Sequence, residues 1–296
     1  MLTNEQVLSR MDEDLTLRGL SPSTQYRYPM HARRFLDWAD RPAEDLGEED
    51  IRCFLSHLIR EERLGTSCVN TYNAALRFLF SVTLNRNLNY RQIPRLKEAH
   101  SLPEILSRPE IVSVFDHSST LRNQAALMTV YGAGLRISEV CNLKTRDIDS
   151  TSMRIFVRRG KNRKDRYTLL SKSNLDVLRE YWKAYRPKHP DGWLFLNKDG
   201  SEKIHRRTIQ SAFDAAVGRA GITKDVTTHT LRHCFATHLL EDGVDLHTIQ
   251  RLLGHANIRT TTIYLHLANY GIGLKSPLDT LREGQGRTLK AVSANA

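Results

Sequence analysis

Apolar residues recur at three- and four-residue intervals along most of the chain, the spacing that turns one face of an α-helix towards a core. Four such segments fill the first hundred residues. "NEQVLSRMDEDLTLRG" stops at Gly19. Ser21 or Ser23 caps "STQYRYPMHARRFLDWAD", and Pro29 within it predicts a kink. Glu48–Asp50 bring acids to the start of "DIRCFLSHLIREERLG", and Thr66 and Ser67 precede "CVNTYNAALRFLFSVTL". Four helices of this length predict a small bundle.

The pattern then lapses. "RQIPRLKEAHSLPEILS" carries prolines at 94 and 103, mixed charge and no firm periodicity, and reads as a connection. It resumes at "SRPEIVSVFDHS", with a Ser cap and Pro109 in the first turn. Helices are expected at "LRNQAALMTVYGAG", "RISEVCNLKTRDI", "SNLDVLREYWKAYR", "RRTIQSAFDAAVGRAG", "HTLRHCFATHLL" and "DLHTIQRLLGH", the last stopped by Gly254. One stretch differs in kind. "RIFV" and "RYTLL" are short β-prone runs flanking a basic polar turn, which is a hairpin signature. From residue 268 onward no pattern survives, and the tail is expected to be disordered. The fold expected is therefore mainly α with a small β-hairpin or sheet. A helical N-terminal domain spans 1–98, a linker 99–103, and an α+β domain with a C-terminal tail 104–296.

Charge changes this picture more than composition does. At 296 residues, two domains are the natural reading. The net charge is +11, and all of that excess lies beyond residue 100; residues 1–50 sum to −5 and 51–100 to +5. Basic surface on 51–100 and on the second domain suits a polyanion, with nucleic acid the leading candidate. No apolar run approaches a membrane span, and the acids in "MLTNEQVLSRMDEDL" exclude a signal peptide. Four cysteines without a CxxC pair suit reduced thiols, so a cytoplasmic protein is expected.

"HTLRHCFATH" places three histidines and an arginine in ten residues. His229, Arg232 and His233 share a helix face, with Leu231, Phe235, Leu239 and Leu240 on the apolar side. Zinc is disfavoured, because Thr230 stands where a metalloprotease has Glu and Arg232 would repel a cation. The face suits an anion instead. His238 reads as a bystander.

Two further stretches complete a constellation. "YGAGLRISEV" places Arg136 after two glycines, and Glu139 one turn later is spaced to orient it as an ion pair. "LLGHANIRTTTIY" supplies His255 and, nine residues on, Tyr264. The patterns G-L-R-x-S-E, H-x-L-R-H and L-G-H-x8-Y, in this order, resemble the tyrosine recombinase (phage integrase) family over about residues 104–270. The resemblance implies a DNA-clamping role for the N-terminal bundle and a tyrosine-recombinase catalytic domain after it. It implies Arg136, Lys161, His229, Arg232, His255 and Tyr264 as catalytic residues, with Glu139 and His233 in support. The family's hairpin usually reads Gly-Lys-Gly-x-Lys-x-Arg. Here it is "GKNRKDR", with Asn162 at the second glycine, so Lys161 aligns with the general acid and Lys164 is the alternative.

These residue types suit one reaction. Cleaving a phosphodiester builds negative charge on phosphorus that two guanidiniums can hold, Arg136 and Arg232, with His255 adding a hydrogen bond. His229 titrates near neutrality and can handle a proton. Tyr264 would attack phosphorus, and the resemblance implies that the link formed is a 3′-phosphotyrosyl. Because bond energy is kept in that link, neither ATP nor a metal or other cofactor is expected. The resemblance further implies double-stranded DNA as partner, a homotetramer in the synaptic complex that can be monomeric off DNA, and a C-terminal segment docking on a neighbour. The ending is unlike that of a Xer-type resolvase, which points to a mobile element. The rivals are a Xer-like dimer resolvase, a type IB topoisomerase and a DNA-binding regulator without enzymatic activity.

Overall fold

The computed structural model describes residues 2–89, 91, 93–97, 102–158 and 165–268. The hairpin lysines Lys161 and Lys164, most of the expected linker and the expected disordered tail lie outside the described residues. The chain divides into two units, Met1–His100 and Ser101–Ala296.

In the first unit four helices run in sequence: α1 (Asn4–Leu17), α2 (Pro22–Ala39), α3 (Glu48–Arg60) and α4 (Thr66–Phe78). Thr3 and Gln6 form a capping box at α1, and Ser21, not Ser23, caps α2 by accepting from the Thr24 N–H. Pro29 does not break α2, which stays helical to Ala39. The apolar periodicity is spent on one shared core. Met11, Leu15, Phe35, Phe54, Leu58, Leu76 and Phe80 are all fully buried, with Phe35 and Phe54 meeting edge to face at 5.3 Å. After Phe78 the helix widens into a π-turn, Leu79–Thr83, closed by the Leu84 N–H on the Leu79 carbonyl.

The second unit holds α5 (Arg108–Asp116), α6 (Leu121–Gly132), α7 (Ile137–Cys141), β1 (Ile148–Asp149), β2 (Arg154–Val157), β3 (Arg166–Leu169), α8 (Lys172–Tyr185), α9 (Arg206–Arg219), α10 (Thr228–Glu241) and α11 (Leu246–Leu253). Helix α6 is its centre, packing against α8, α9 and α10. The fold is thus mainly α with one small antiparallel sheet in the order β1-β2-β3.

The two β-prone runs pair antiparallel as expected, and a third strand joins them where Ile148 and Asp149 pair with Ile155 and Arg154. One expectation needs correction here. The helix expected over "RISEVCNLKTRDI" stops at Cys141. Beyond it the Leu143 carbonyl accepts from the Leu194 N–H, Lys144 pairs with Trp193, and Thr145–Asp147 is a 3-10 turn in which Asp147 accepts from the Lys144 N–H. Pairing with a segment fifty residues away outweighs local helical preference. The strands show their amphipathicity plainly: Ile155 and Val157 are buried while Arg154 is exposed.

Candidate active site

The site grows from two tight turns. Gly134 ends α6 at φ +60°, and a Cβ there would overlap the Phe235 ring, so only glycine lets α6 and α10 approach so closely. Gly254 ends α11 at φ +66°, where a Cβ would stand 2.7 Å from Cδ of Arg166. Between these turns lies the guanidinium of Arg232, 1% exposed on α10. Its two terminal nitrogens each donate at 2.6 Å, one to the Gly134 carbonyl and one to the Leu253 carbonyl. Each acceptor lies at the C-terminal end of a helix, where carbonyls lack partners.

Glu139 is the counter-charge. Arg166 on β3 grips it with a two-pronged pair of hydrogen bonds, both 2.8 Å, and donates a third to the Leu252 carbonyl at 2.8 Å. Arg136, the N-cap residue of α7, reaches the same carboxylate with its side chain at 2.9 Å and its backbone N–H at 2.8 Å. The Arg232 guanidinium lies 3.7 Å away. Burial by itself would raise the Glu139 pKa, but Arg166, the Arg136 N–H and Arg232 together hold it down at about 2. Burial and the neighbouring Arg136 push Arg232 down to about 9, with Glu139 opposing them, so it stays charged at neutral pH.

Tyr264 sits on the 3-10 turn Thr262–His266, 2% exposed. Its hydroxyl is 3.2 Å from Nδ1 of His233, and its ring lies nearly parallel to that of His255, 6.4 Å between centroids. Burial raises the Tyr264 pKa, while the positive charges of Arg232 and Arg136 work against that rise. His255 is lowered to about 3 by burial and then by Arg232, Arg136, Arg166 and His233. His233 is lowered to about 4 by burial, His229 and Arg232. The protein flanking His229 lowers it too, with help from Arg232 and Arg136; its ring meets His233 edge-on at 4.6 Å. Two neutral imidazoles, His233 and His255, and two guanidiniums, Arg232 and Arg136, therefore face the phenol, with His229 packed against His233.

Of the residues singled out from sequence, Arg136, Glu139, His229, Arg232, His233, His255 and Tyr264 come together at this one place. They arrive from α7, α10, the turn after α11 and the 3-10 turn that follows. Lys161 lies outside the described residues. Two participants had not been singled out. Arg166 sits in the quoted hairpin motif, where a basic turn hides its role as the clamp on Glu139. Thr261, whose hydroxyl is 2.9 Å from Nδ1 of His255, is one of three consecutive threonines and carries no distinguishing signal. His238 is buried and 2.9 Å from the Tyr131 hydroxyl, on the far part of α10. Among the described residues no group of three or more His, Cys, Asp or Glu is placed to hold a metal, and no helix is long and apolar enough to cross a membrane.

Comparison with known proteins agrees on one lineage. Residues 98–270 match the phage integrase family, and residues 7–90 match the phage integrase N-terminal SAM-like domain. A Sinorhizobium fredii protein named as an integrase/recombinase, y4qK, is 41% identical over 274 residues, covering 92% of this chain and 88% of that protein. The tyrosine recombinase XerA of Thermococcus kodakarensis is 34% identical over 262 residues, covering 88% and 90%. Among solved structures, XerH site-specific recombinase bound to a palindromic difH substrate aligns with a TM-score of 0.72 over 90% of this chain and 80% of that one; at 21% identity it speaks for the fold alone. The chain belongs to the phage integrase family. It is a site-specific tyrosine recombinase, an enzyme that breaks and rejoins DNA.

Proposed function

We propose that Tyr264 is the nucleophile and that Arg136, Arg232 and His255 hold the phosphate it attacks. One observation carries the reading: side chains from separate elements converge on a single buried phenol, and all the fixed charge facing it is positive. Arg232 has spent one donor on each of two carbonyls and keeps others free for a phosphate oxygen. In the step proposed, the Tyr264 oxygen bonds to phosphorus and the bond to the 5′ oxygen breaks, leaving a 3′-phosphotyrosine. The phenol proton leaves towards the neutral imidazoles His233 and His229. The 5′ oxygen takes a proton from Lys161, or from Lys164 in its place. Rejoining is the reverse, with a different 5′ hydroxyl attacking.

Within this reading residues 1–98 form the DNA-clamping domain and residues 104–296 the catalytic one, joined by a linker at 99–103. The partner is double-stranded DNA, the working assembly a homotetramer, and the segment "SPLDTLREG" the contact to a neighbour. The protein acts in the cytoplasm on DNA of a mobile element. Identity to XerA favours a second reading, a dimer resolvase. One experiment tests both. Source cells expressing wild type or Tyr264→Phe are lysed under denaturing conditions, the protein is captured and attached DNA is sequenced. Attachment at one or a few sites, lost in Tyr264→Phe while footprints persist without denaturant, supports the assignment. Covalent DNA retained by Tyr264→Phe overturns it. Sites at element ends favour the mobile-element role, and one chromosomal site favours the resolvase.

A further inference from the structure

We propose that Thr261 is a positioning residue that fixes His255 as the Nε2–H tautomer, so that the imidazole offers the phosphate a donor instead of a bare lone pair. The inference rests on the reading of His255 as a phosphate donor given above. A neutral imidazole carries one N–H, and whether it attracts or repels a phosphate oxygen depends on which nitrogen has it. His255 is held neutral by burial and by Arg232, Arg136 and Arg166, so tautomer and not charge is what the protein must choose.

The choice is made on the other side of the ring. Nδ1 of His255 is 2.9 Å from Oγ1 of Thr261, which is fully buried. Nδ1 is the sole hydrogen-bond partner of that hydroxyl among the described residues. If Nδ1 carried the hydrogen, the hydroxyl would accept and its own hydrogen would be stranded out of reach of water. If the hydroxyl donates, both groups are satisfied and the imidazole hydrogen sits on Nε2. The backbone holds this arrangement. The His255 N–H donates to the Gln250 carbonyl and the Gln250 side chain donates to the His255 carbonyl, both at 3.1 Å. The Thr261 carbonyl accepts from the Tyr264 N–H at 3.1 Å, so one residue orients the imidazole and starts the turn bearing the phenol.

The test is ring ¹⁵N NMR of His255 in the full chain, for wild type, Thr261→Val and Thr261→Ser, beside cleavage of the DNA recovered by covalent capture. Wild type and Thr261→Ser should show the Nε2–H form at neutral pH. Thr261→Val should shift towards Nδ1–H and lose cleavage roughly tenfold to a hundredfold, the scale on which an orienting partner acts on a working histidine; Thr261→Ser should restore most of it. An Nδ1–H form in the wild type overturns the inference whether or not the valine variant folds, as does an unchanged tautomer in Thr261→Val. His255→Ala separates the two claims. Full cleavage there sinks the phosphate-donor reading, whereas impaired cleavage with an unmoved tautomer in Thr261→Val sinks the role of Thr261 alone.

Discussion

Both units of this protein pair guanidinium with carboxylate, and the two use the pairing differently. In the N-terminal unit Arg33 meets Glu5, Arg34 meets Glu62 and Arg41 meets Asp50 near the surface, with side chains a quarter to nearly three quarters exposed. In the second unit Glu139, with a side chain 6% exposed, faces Arg136, Arg166 and Arg232. Water screens the first set, and each pair there contributes little. The second set has lost its water, so each member depends on the others being present. The lesson is that burial turns an ordinary ion pair into a jig. Arg166 holds Glu139, and Glu139 orients Arg136 and balances the charge of Arg232.

The sharpest way to break this contrast is Glu139→Ala, which leaves three guanidiniums facing each other without a counter-charge. A loss of about 3–5 kcal/mol in urea denaturation is expected, with loss of DNA cleavage. A loss no larger than that of a surface pair would end the comparison. Acid should reveal the same dependence without mutation. The folded chain lowers Glu139 from 4.5 to about 2, so its stabilisation is complete above 4.5 and disappears as pH falls towards 2. That difference is worth about 3 kcal/mol, and a pH series of denaturation curves on wild type and Glu139→Gln should show it only in the former.

Gly134→Ala sharpens the geometry instead of the charge. It forces a Cβ into the Phe235 ring at a positive φ and disturbs the carbonyl that holds Arg232, for an expected cost of about 1–3 kcal/mol by thermal or urea unfolding. The smallest effect is expected from Glu5→Ala. Its bridge to Arg33 is exposed on both sides, so the urea midpoint should barely move, and any change should shrink in high salt.

Particular residues show where reading from sequence succeeds. The helices of the N-terminal unit follow from apolar spacing and caps, since both are local properties that a few neighbouring residues specify. The family motifs were legible because each clusters unusual residue types over a few positions, as "HTLRH" does. Residues 136–148 mark where that reading ends. Their apolar pattern suits a helix, yet after Cys141 Leu143 and Lys144 pair with Leu194 and Trp193, and Ile148 joins the sheet beside Ile155. Ser21 and Ser23 are equal cap candidates in the sequence for a similar reason, as two hydroxyls offer the same chemistry and only the turn decides between them.

Sequence by itself determined the largely helical class, the placement of excess positive charge beyond residue 100, the order of the motifs and the residue types that can hold a phosphate. These depend on composition and on spacing along a single element. Only the tertiary structure decided that Arg166 clamps Glu139, that Arg232 hangs from the carbonyls of Gly134 and Leu253, and that Thr261 faces the ring of His255. Each of these joins groups brought together by chain closure, most of them far apart in sequence. A hydrogen bond made that way leaves no periodicity behind, because its partner is chosen by packing and not by the neighbouring residues.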